Sequence, residues 1–194
     1  MDNNKAVFLD RDGVITEDPP HYAHRIDQLR IIPGGAQAIQ RLNAHNFRVI
    51  IISNQSGVAR GYYIEEDVKI FNDGMAHLLA KEGSHVDAVY YCPHHPDGII
   101  ERYKIDCGCR KPKPGMILEA AQNHSLDIQN SFVVGDKWSD IEAGKNAGCQ
   151  TILVLTGHGT DESLKIKDNC LVTSDLYEAV SKYIIGRSNS TVVK

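Results

Sequence analysis

Apolar residues fall along this chain in short runs that end on polar clusters. Residues 6–9 read AVFL and stop at Asp10; residues 47–52 read FRVIII and stop at Ser53. A weaker run covers 87–91 (DAVYY), another covers 131–134 (SFVV) before Gly135-Asp136, and 151–155 (TILVL) leads into Thr156-Gly157, with a short last run at 171–172. These runs are rich in Val and Ile and do not alternate cleanly with polar residues. That is the pattern of strands covered on both faces, as in a parallel sheet. Between them the apolar positions recur every three to four residues. The spacing of Ala36, Ile39 and Leu42 predicts a helix over 35–45, and that of Val68, Phe71, Met75, Leu78 and Leu79 a helix over 64–79. A third helix is expected over 114–124, with Pro114 in its first turn. A fourth, over 139–147, has Ser139 as cap and Glu142 at capping-box spacing. A fifth, over 175–184, is capped by Ser174 or Asp175. Strands alternating with helices predict an α/β fold, with helices on both faces of a parallel sheet.

One segment breaks the alternation. Residues 92–115 hold Pro93, Pro96, Pro112 and Pro114 together with Cys92, Cys107 and Cys109. A structureless stretch of about 20 residues inside a compact domain needs a functional reason. Cys92-x-His94 and Cys107-x-Cys109 supply donors suited to tetrahedral Zn²⁺, although spacing alone does not separate His94 from His95. A loop with so few apolar residues can be ordered by a metal. Four protein ligands would leave no position for water, so this metal is expected to be structural. Cys149 and Cys170 fall in core segments and read as packing residues.

Composition narrows the class. With 194 residues, 42% hydrophobic and 24% charged, the chain is expected to form one domain over 1–185, with a polar tail over 186–194 that frays. The net charge of −4 argues against a nucleic-acid surface. No apolar stretch reaches the roughly 18 residues of a membrane span, and the N-terminus carries no signal-peptide pattern. Three of the five cysteines crowd into one loop, which fits a cytoplasmic metal site better than a disulfide scaffold. No extended apolar stripe is evident, so a monomer is expected.

The chemistry sits at the strand ends. Asp10 and Asp12 would repel each other unless a cation lies between them, and Gly13 could supply a turn that brings them together. Gly135-Asp136-Lys137-Trp138-Ser139-Asp140 and Ser53-Asn54-Gln55-Ser56-Gly57 follow two other strands. Ligands of open parallel sheets bind outside the carboxyl ends of the strands, so these clusters should share one edge. Carboxylates suit Mg²⁺; with hydroxyl and amide donors, and cations from Arg110 and Lys111, they describe a site for phosphoryl transfer.

In order and spacing, LDRDGV, SNQSG, RKPKPG and GDKWSDIEAG resemble the four motifs of haloacid dehalogenase (HAD) superfamily phosphatases. SNQSGVARG, CPHHP, CGCRKPKPGM and GDK resemble, within that superfamily, the D-glycero-D-manno-heptose 1,7-bisphosphate 7-phosphatases, to which histidinol-phosphate phosphatases are close relatives. The resemblance covers about residues 5–185. It implies a Rossmann-like HAD fold without a large cap domain, carrying a zinc-binding loop insertion. It implies Asp10 as nucleophile and Asp12 as general acid, then base. Mg²⁺ would be held by the carboxylates of Asp10 and Asp136 and the backbone carbonyl of Asp12, with Asp140 behind them. Ser53 and Lys111 would stabilise the phosphoryl group. Asp18, His21, Tyr22, Asn54, Gln55, Ser56, Arg110 and Lys137 would line the substrate site. The structural zinc would be held by Cys92, His94, Cys107 and Cys109. The implied partner is a small phosphorylated sugar. Histidinol phosphate is the enzymatic alternative, and a zinc-loop binding module is the non-enzymatic one. The 18–28 loop carries Pro19-Pro20 where relatives are more glycine-rich, and Gly157-His158-Gly159 stands where Gly-Lys is more usual. On this reading, Asp10→Asn abolishes Mg²⁺-dependent phosphatase turnover while leaving the circular dichroism spectrum unchanged; retained turnover would overturn it.

Overall fold

The computed structural model describes residues 4–20, 22–165 and 170–186. His21 and the tail over 187–194 lie outside them. Among the described residues the strands are β1 (Ala6–Leu9), β2 (Arg48–Asn54), β3 (Ala88–Cys92), β4 (Phe132–Gly135), β5 (Gln150–Val154) and β6 (Leu171–Thr173). They form one sheet in the order β3-β2-β1-β4-β5-β6, and every neighbouring pair is parallel. This is the Rossmann order, in which the chain leaves β1 in one direction to β2 and β3, and returns beyond it to β4. The first strand is therefore central, and its carboxyl end lies at the point where the order reverses.

Burial on both sides explains the uninterrupted apolar runs. Val7, Leu9, Val49 and Ile51 face a core built with α1 (Gly35–Ala44) and α2 (Glu65–Lys81). The same core takes in α6 (Leu176–Glu178) and the π-helical turn Ala179–Ile184 that continues it. Ala6, Phe8, Ile50 and Ile52 face the other way, onto α3 (Gly115–His124) and α4 (Trp138–Ala147). The period of two along each strand thus divides one sequence between two cores. Among the described residues no helix is long and apolar enough to cross a membrane.

The elements depart from the sequence expectations at their ends. The helix expected to start at Ser139 begins at Trp138, with Lys137 as the cap residue. Asp140, not Glu142, closes the turn: its carboxylate accepts from the Lys137 backbone N–H at 3.0 Å. Pro114 lies one residue before α3, at its cap. Asp175, not Ser174, caps α6, accepting from the Glu178 backbone N–H at 2.8 Å. A short helix, α5 (Gly159–Ser163), follows β5, where no periodic apolar pattern announced it. Cys149 packs beside the α3–α4 core, where burial pushes its thiol up to about 12. Cys170 is only partly buried.

The irregular segment is ordered by a short 3₁₀ turn, Glu101–Tyr103, and fastened to the start of α2. Glu65 accepts from the Tyr91 hydroxyl at 2.7 Å and also from the Tyr103 hydroxyl. These two bonds hold the Glu65 carboxyl below its ordinary range.

Candidate active site

Because β2, β1 and β4 are neighbours, their carboxyl ends deliver Ser53, Asp10 and Asp136 to one place. The chain turns tightly after Asp10. Gly13 donates its backbone N–H to the Thr16 carbonyl at 2.7 Å, and Ile15 and Thr16 both bond back to the Arg11 carbonyl. Gly13 adopts φ +91, and a side chain there would meet Asp136 Oδ2 at 2.2 Å. Gly157, at φ +56, approaches the same oxygen from the other side, where a side chain would stand 2.3 Å away. Only glycine lets two backbone segments close on this carboxylate.

Asp10, Asp136 and Asp140 each contribute a carboxylate oxygen to a group lying within 4.8 Å of one another, and all three residues are buried. Lys111 enters this group from the segment before α3. Its ammonium donates to Asp10 Oδ1 at 2.8 Å and to the Ile52 carbonyl at 2.8 Å, and it lies 2.7 Å from Asp140 Oδ1. Burial alone would lower the Lys111 ammonium, but the Asp10 and Asp140 carboxylates outweigh it and hold its pKa raised. Burial likewise works against the Asp10 carboxylate, and Lys111 and Lys137 reverse that, keeping it below the ordinary range. At Asp136 the balance falls the other way, because the Lys137 charge opposes the shift without overcoming it. Burial and the neighbouring Asp10 charge push its carboxyl up to about 8.

The fit to a hard cation follows from that imbalance. Asp136 Oδ2 accepts from the His158 backbone N–H at 2.8 Å, whereas Asp136 Oδ1 is buried with no hydrogen-bond partner. An unpaired buried carboxylate oxygen beside a second carboxylate suits Mg²⁺, which binds through one or two carboxylates and keeps its waters. Asp140 is engaged by Lys111 and by the α4 cap, so Asp10 and Asp136 are the carboxylates available to an ion.

Asp12 stands outside this group. Its carboxylate accepts from Arg11 Nε and Nη2, both at 2.9 Å, from Thr16 Oγ1 at 3.1 Å and from Gln55 Nε2 at 2.9 Å. The same Gln55 amide reaches Ser53 Oγ at 2.8 Å, and the Tyr63 hydroxyl fixes its other end. Asn54 clasps the Lys111 backbone, accepting its N–H at 3.0 Å and donating to its carbonyl at 3.1 Å.

These groups open onto a cavity of about 610 Å³. Asp10, Asp12, Ser53, Asn54, Ser56, Arg110, Lys111 and Lys137 all line it, as do Asp18 and Tyr22 of the 18–28 loop. At its mouth, Asp18 Oδ2 accepts from Lys137 Nζ at 3.0 Å and lies 3.1 Å from His158 Nε2. The sequence expectations therefore converge on one pocket, apart from Asp136, which is buried beside Asp10, Gln55, which supports it from behind, and His21, which is outside the described residues. Sequence reasoning did not single out Asn72 or Tyr63, and it gave Arg11 no role. Asn72 reaches Arg11 from 61 residues away, Tyr63 holds Gln55 and Arg11 holds Asp12, and no local pattern marks these contacts.

The Cys/His group forms a second cluster. Cys92, Cys107 and Cys109 bring their sulfurs within 3.1 to 3.4 Å of one another. His94 Nδ1 lies 3.6 Å from Cys109 Sγ and 3.8 Å from Cys92 Sγ. His95 faces elsewhere: its Nδ1 accepts from the Asp97 N–H at 3.0 Å, and its Nε2 lies 3.1 Å from Arg60. The geometry thus separates the two histidines that spacing left open. Burial opposes ionisation at Cys107, but bonds from Cys109 and Cys92 outweigh it and bring that thiol down to about 7. A soft donor set of three sulfurs and one imidazole suits Zn²⁺. Next in the chain, Arg110 donates to the His94 carbonyl at 3.3 Å, so the cluster borders the cavity.

Comparisons with known proteins agree with this geometry. Residues 108–179 match the HAD-hydrolase-like family model. The D-glycero-beta-D-manno-heptose-1,7-bisphosphate 7-phosphatase of Pasteurella multocida is 44% identical, covering 88% of this chain and 92% of that one. The D-glycero-alpha-D-manno-heptose-1,7-bisphosphate 7-phosphatase of Photorhabdus laumondii is 40% identical, covering 93% and 96%. Among solved structures, the D,D-heptose 1,7-bisphosphate phosphatase from B. bronchiseptica, complexed with magnesium and phosphate, superposes with a TM-score of 0.85 at 34% identity. That match covers 94% of this chain and 99% of that chain. Sharing their length, fold and motifs, the chain belongs to the D-glycero-D-manno-heptose 1,7-bisphosphate 7-phosphatase family of HAD-like hydrolases.

Proposed function

We propose that the protein removes the 7-phosphate of a D-glycero-D-manno-heptose 1,7-bisphosphate, acting through residues 1–185 as a monomeric cytoplasmic enzyme. The observation that carries the reading is the Asp10–Lys111–Asp140 ion-pair chain beside the unpaired Asp136 oxygen, at the floor of a polar cavity.

Asp10 is the nucleophile in this reading. The bond to Lys111 keeps it ionised and aimed, and attack on phosphorus forms an aspartyl-phosphate while the bond to the sugar oxygen breaks. Asp12 gives its proton to that leaving oxygen and later takes one from the water that cleaves the aspartyl-phosphate. Ser53 and Lys111 donate to the phosphoryl oxygens, where charge grows in the transition state. Mg²⁺ held by Asp10, Asp136 and the Asp12 backbone carbonyl would supply charge neutralisation at the phosphoryl group. Arg110 and Lys137 meet the second phosphate and the sugar; Arg suits bidentate contact, and Lys acts as a point charge. Asp18, His21, Tyr22, Asn54, Gln55 and Ser56 shape the remaining pocket. Cys92, His94, Cys107 and Cys109 would hold Zn²⁺, which would help order the segment that carries Arg110 and Lys111.

A turnover panel of heptose 1,7-bisphosphate, fructose bisphosphate and histidinol phosphate with Mg²⁺ tests the substrate. The heptose ester is expected to give the highest kcat/KM; a preference for histidinol phosphate would reassign the substrate, and no turnover on any ester would end the enzymatic reading. Metal binding has a predicted pH dependence. The Asp136 carboxyl is raised to about 8, so in the metal-free protein its ionisation costs stability as pH rises from the ordinary carboxylate range through that value. Mg²⁺ must displace that proton below pH about 8. The rise in melting temperature on adding Mg²⁺ is therefore expected to be larger at pH about 8.5 than at about 5.5; an equal rise would argue against Asp136 as a ligand. For the second metal, purified protein should contain one zinc per chain, and Cys107→Ser should lose it and raise KM for the bisphosphate. Full zinc occupancy in that variant would refute the ligand set.

A further inference from the structure

Arg11 is the largest fully buried side chain of the described residues, 1% exposed, and it lies between the two aspartates of the first motif. Burying a guanidinium is costly unless its donors are paired. Here Nε and Nη2 form a two-pronged bond to the two oxygens of Asp12, Nη2 also donates to the Ala23 carbonyl at 3.0 Å, and Nη1 donates to Asn72 Oδ1 at 2.9 Å. The ring of Phe71 lies under the guanidinium, 4.4 Å from its carbon. Asn72 and Phe71 both belong to α2, so a helix of the core holds the arginine that holds Asp12.

A residue needed only to fill this space would not have to be a planar fork. An adjacent carboxylate and guanidinium would also meet water unless something drew them inside. The bonds instead fix Asp12 in one orientation, with Thr16 and Gln55 completing its acceptors and Gln55 tying it to Ser53. From these contacts we infer that Arg11 is the positioning residue for Asp12, holding the carboxyl beside the phosphoryl site so that the leaving oxygen is protonated from one defined place.

The inference rests on the proposed role of Asp12 as acid. In the step concerned, the Asp10–phosphorus bond forms, the bond from phosphorus to the sugar oxygen breaks, and the Asp12 proton passes to that oxygen. Asp12 is left as a carboxylate, the form that the guanidinium grips with both prongs. Lysine at this position keeps the charge but cannot reproduce the fork.

Leaving-group dependence separates positioning from folding. A sugar alkoxide needs a proton to depart, whereas p-nitrophenolate does not. In single-turnover experiments, Arg11→Lys is expected to slow sugar release from the bisphosphate about 100-fold, the scale of general-acid catalysis, while p-nitrophenolate release from p-nitrophenyl phosphate falls less than about threefold. Asn72→Ala, which removes only the outer anchor, should show the same asymmetry at about tenfold and carries the test if Arg11→Lys does not fold. Asp12→Asn is the reference. If it leaves the ratio of the two rates unchanged, Asp12 is not the acid, and the inference falls with that reading. If it changes the ratio, but the folded Arg11 or Asn72 variants lose both activities equally or lose neither, the positioning role alone is overturned.

Discussion

Positive charge delivered to a buried carboxylate cluster is the constraint around which this molecule is arranged. Asp10, Asp136 and Asp140 converge within a few ångströms out of contact with water, an arrangement that self-repulsion and desolvation would oppose. Lys111 answers two of the three charges and is itself held by the Ile52 carbonyl. Its backbone is clasped by Asn54 at the end of β2. The third carboxyl, Asp136, is pushed up by burial and by Asp10 against the pull of Lys137, and one of its oxygens stays unpaired. The sheet order serves this balance, because only neighbouring strands can bring residues from the first, second and fourth strands so close.

The same economy governs Asp12. One residue along from the ion-paired Asp10 is an arginine, and two along is a carboxylate held by different partners. Asp12 follows Asp10 by two residues in a tight turn, and both carboxylates line the cavity. The first motif thus carries two carboxylates of unlike surroundings: one faces Lys111, the other faces Arg11, Thr16 and Gln55. Groups of one chemical type take on different work when their environments differ in this way.

Much of this was legible in the chain because parallel sheets write themselves in uninterrupted Val and Ile runs, and because binding residues follow directly after those runs. Ala6–Leu9 and Asp10 are the plainest case. The Cys/His cluster was legible from residue type, but the choice of His94 over His95 needed the fold, since it depends on which imidazole the Arg60 and Asp97 contacts claim. The cap of α4 was misread because Ser139 and Glu142 have the better local signature, whereas Asp140 is drawn to the cap by its place beside Lys111. Asn72 and Tyr63 could not be found by pattern: one looks like a polar position on an amphipathic helix and the other like an ordinary core aromatic. Asn72 meets Arg11 only through the fold, and the Tyr63 contact to Gln55 depends on how the connection between β2 and α2 curls.

Glu65 gives the irregular segment a second anchorage of a different kind. Tyr91, just before the first cysteine, and Tyr103, on the stretch between the two halves of the Cys/His cluster, both rest on this one carboxylate at the start of α2. A clamp made of phenols and a carboxylate is indifferent to chelators and oxidants, whereas one made of thiolates is sensitive to both. The midsection of the segment therefore stays moored to the body of the protein whatever happens at the sulfurs.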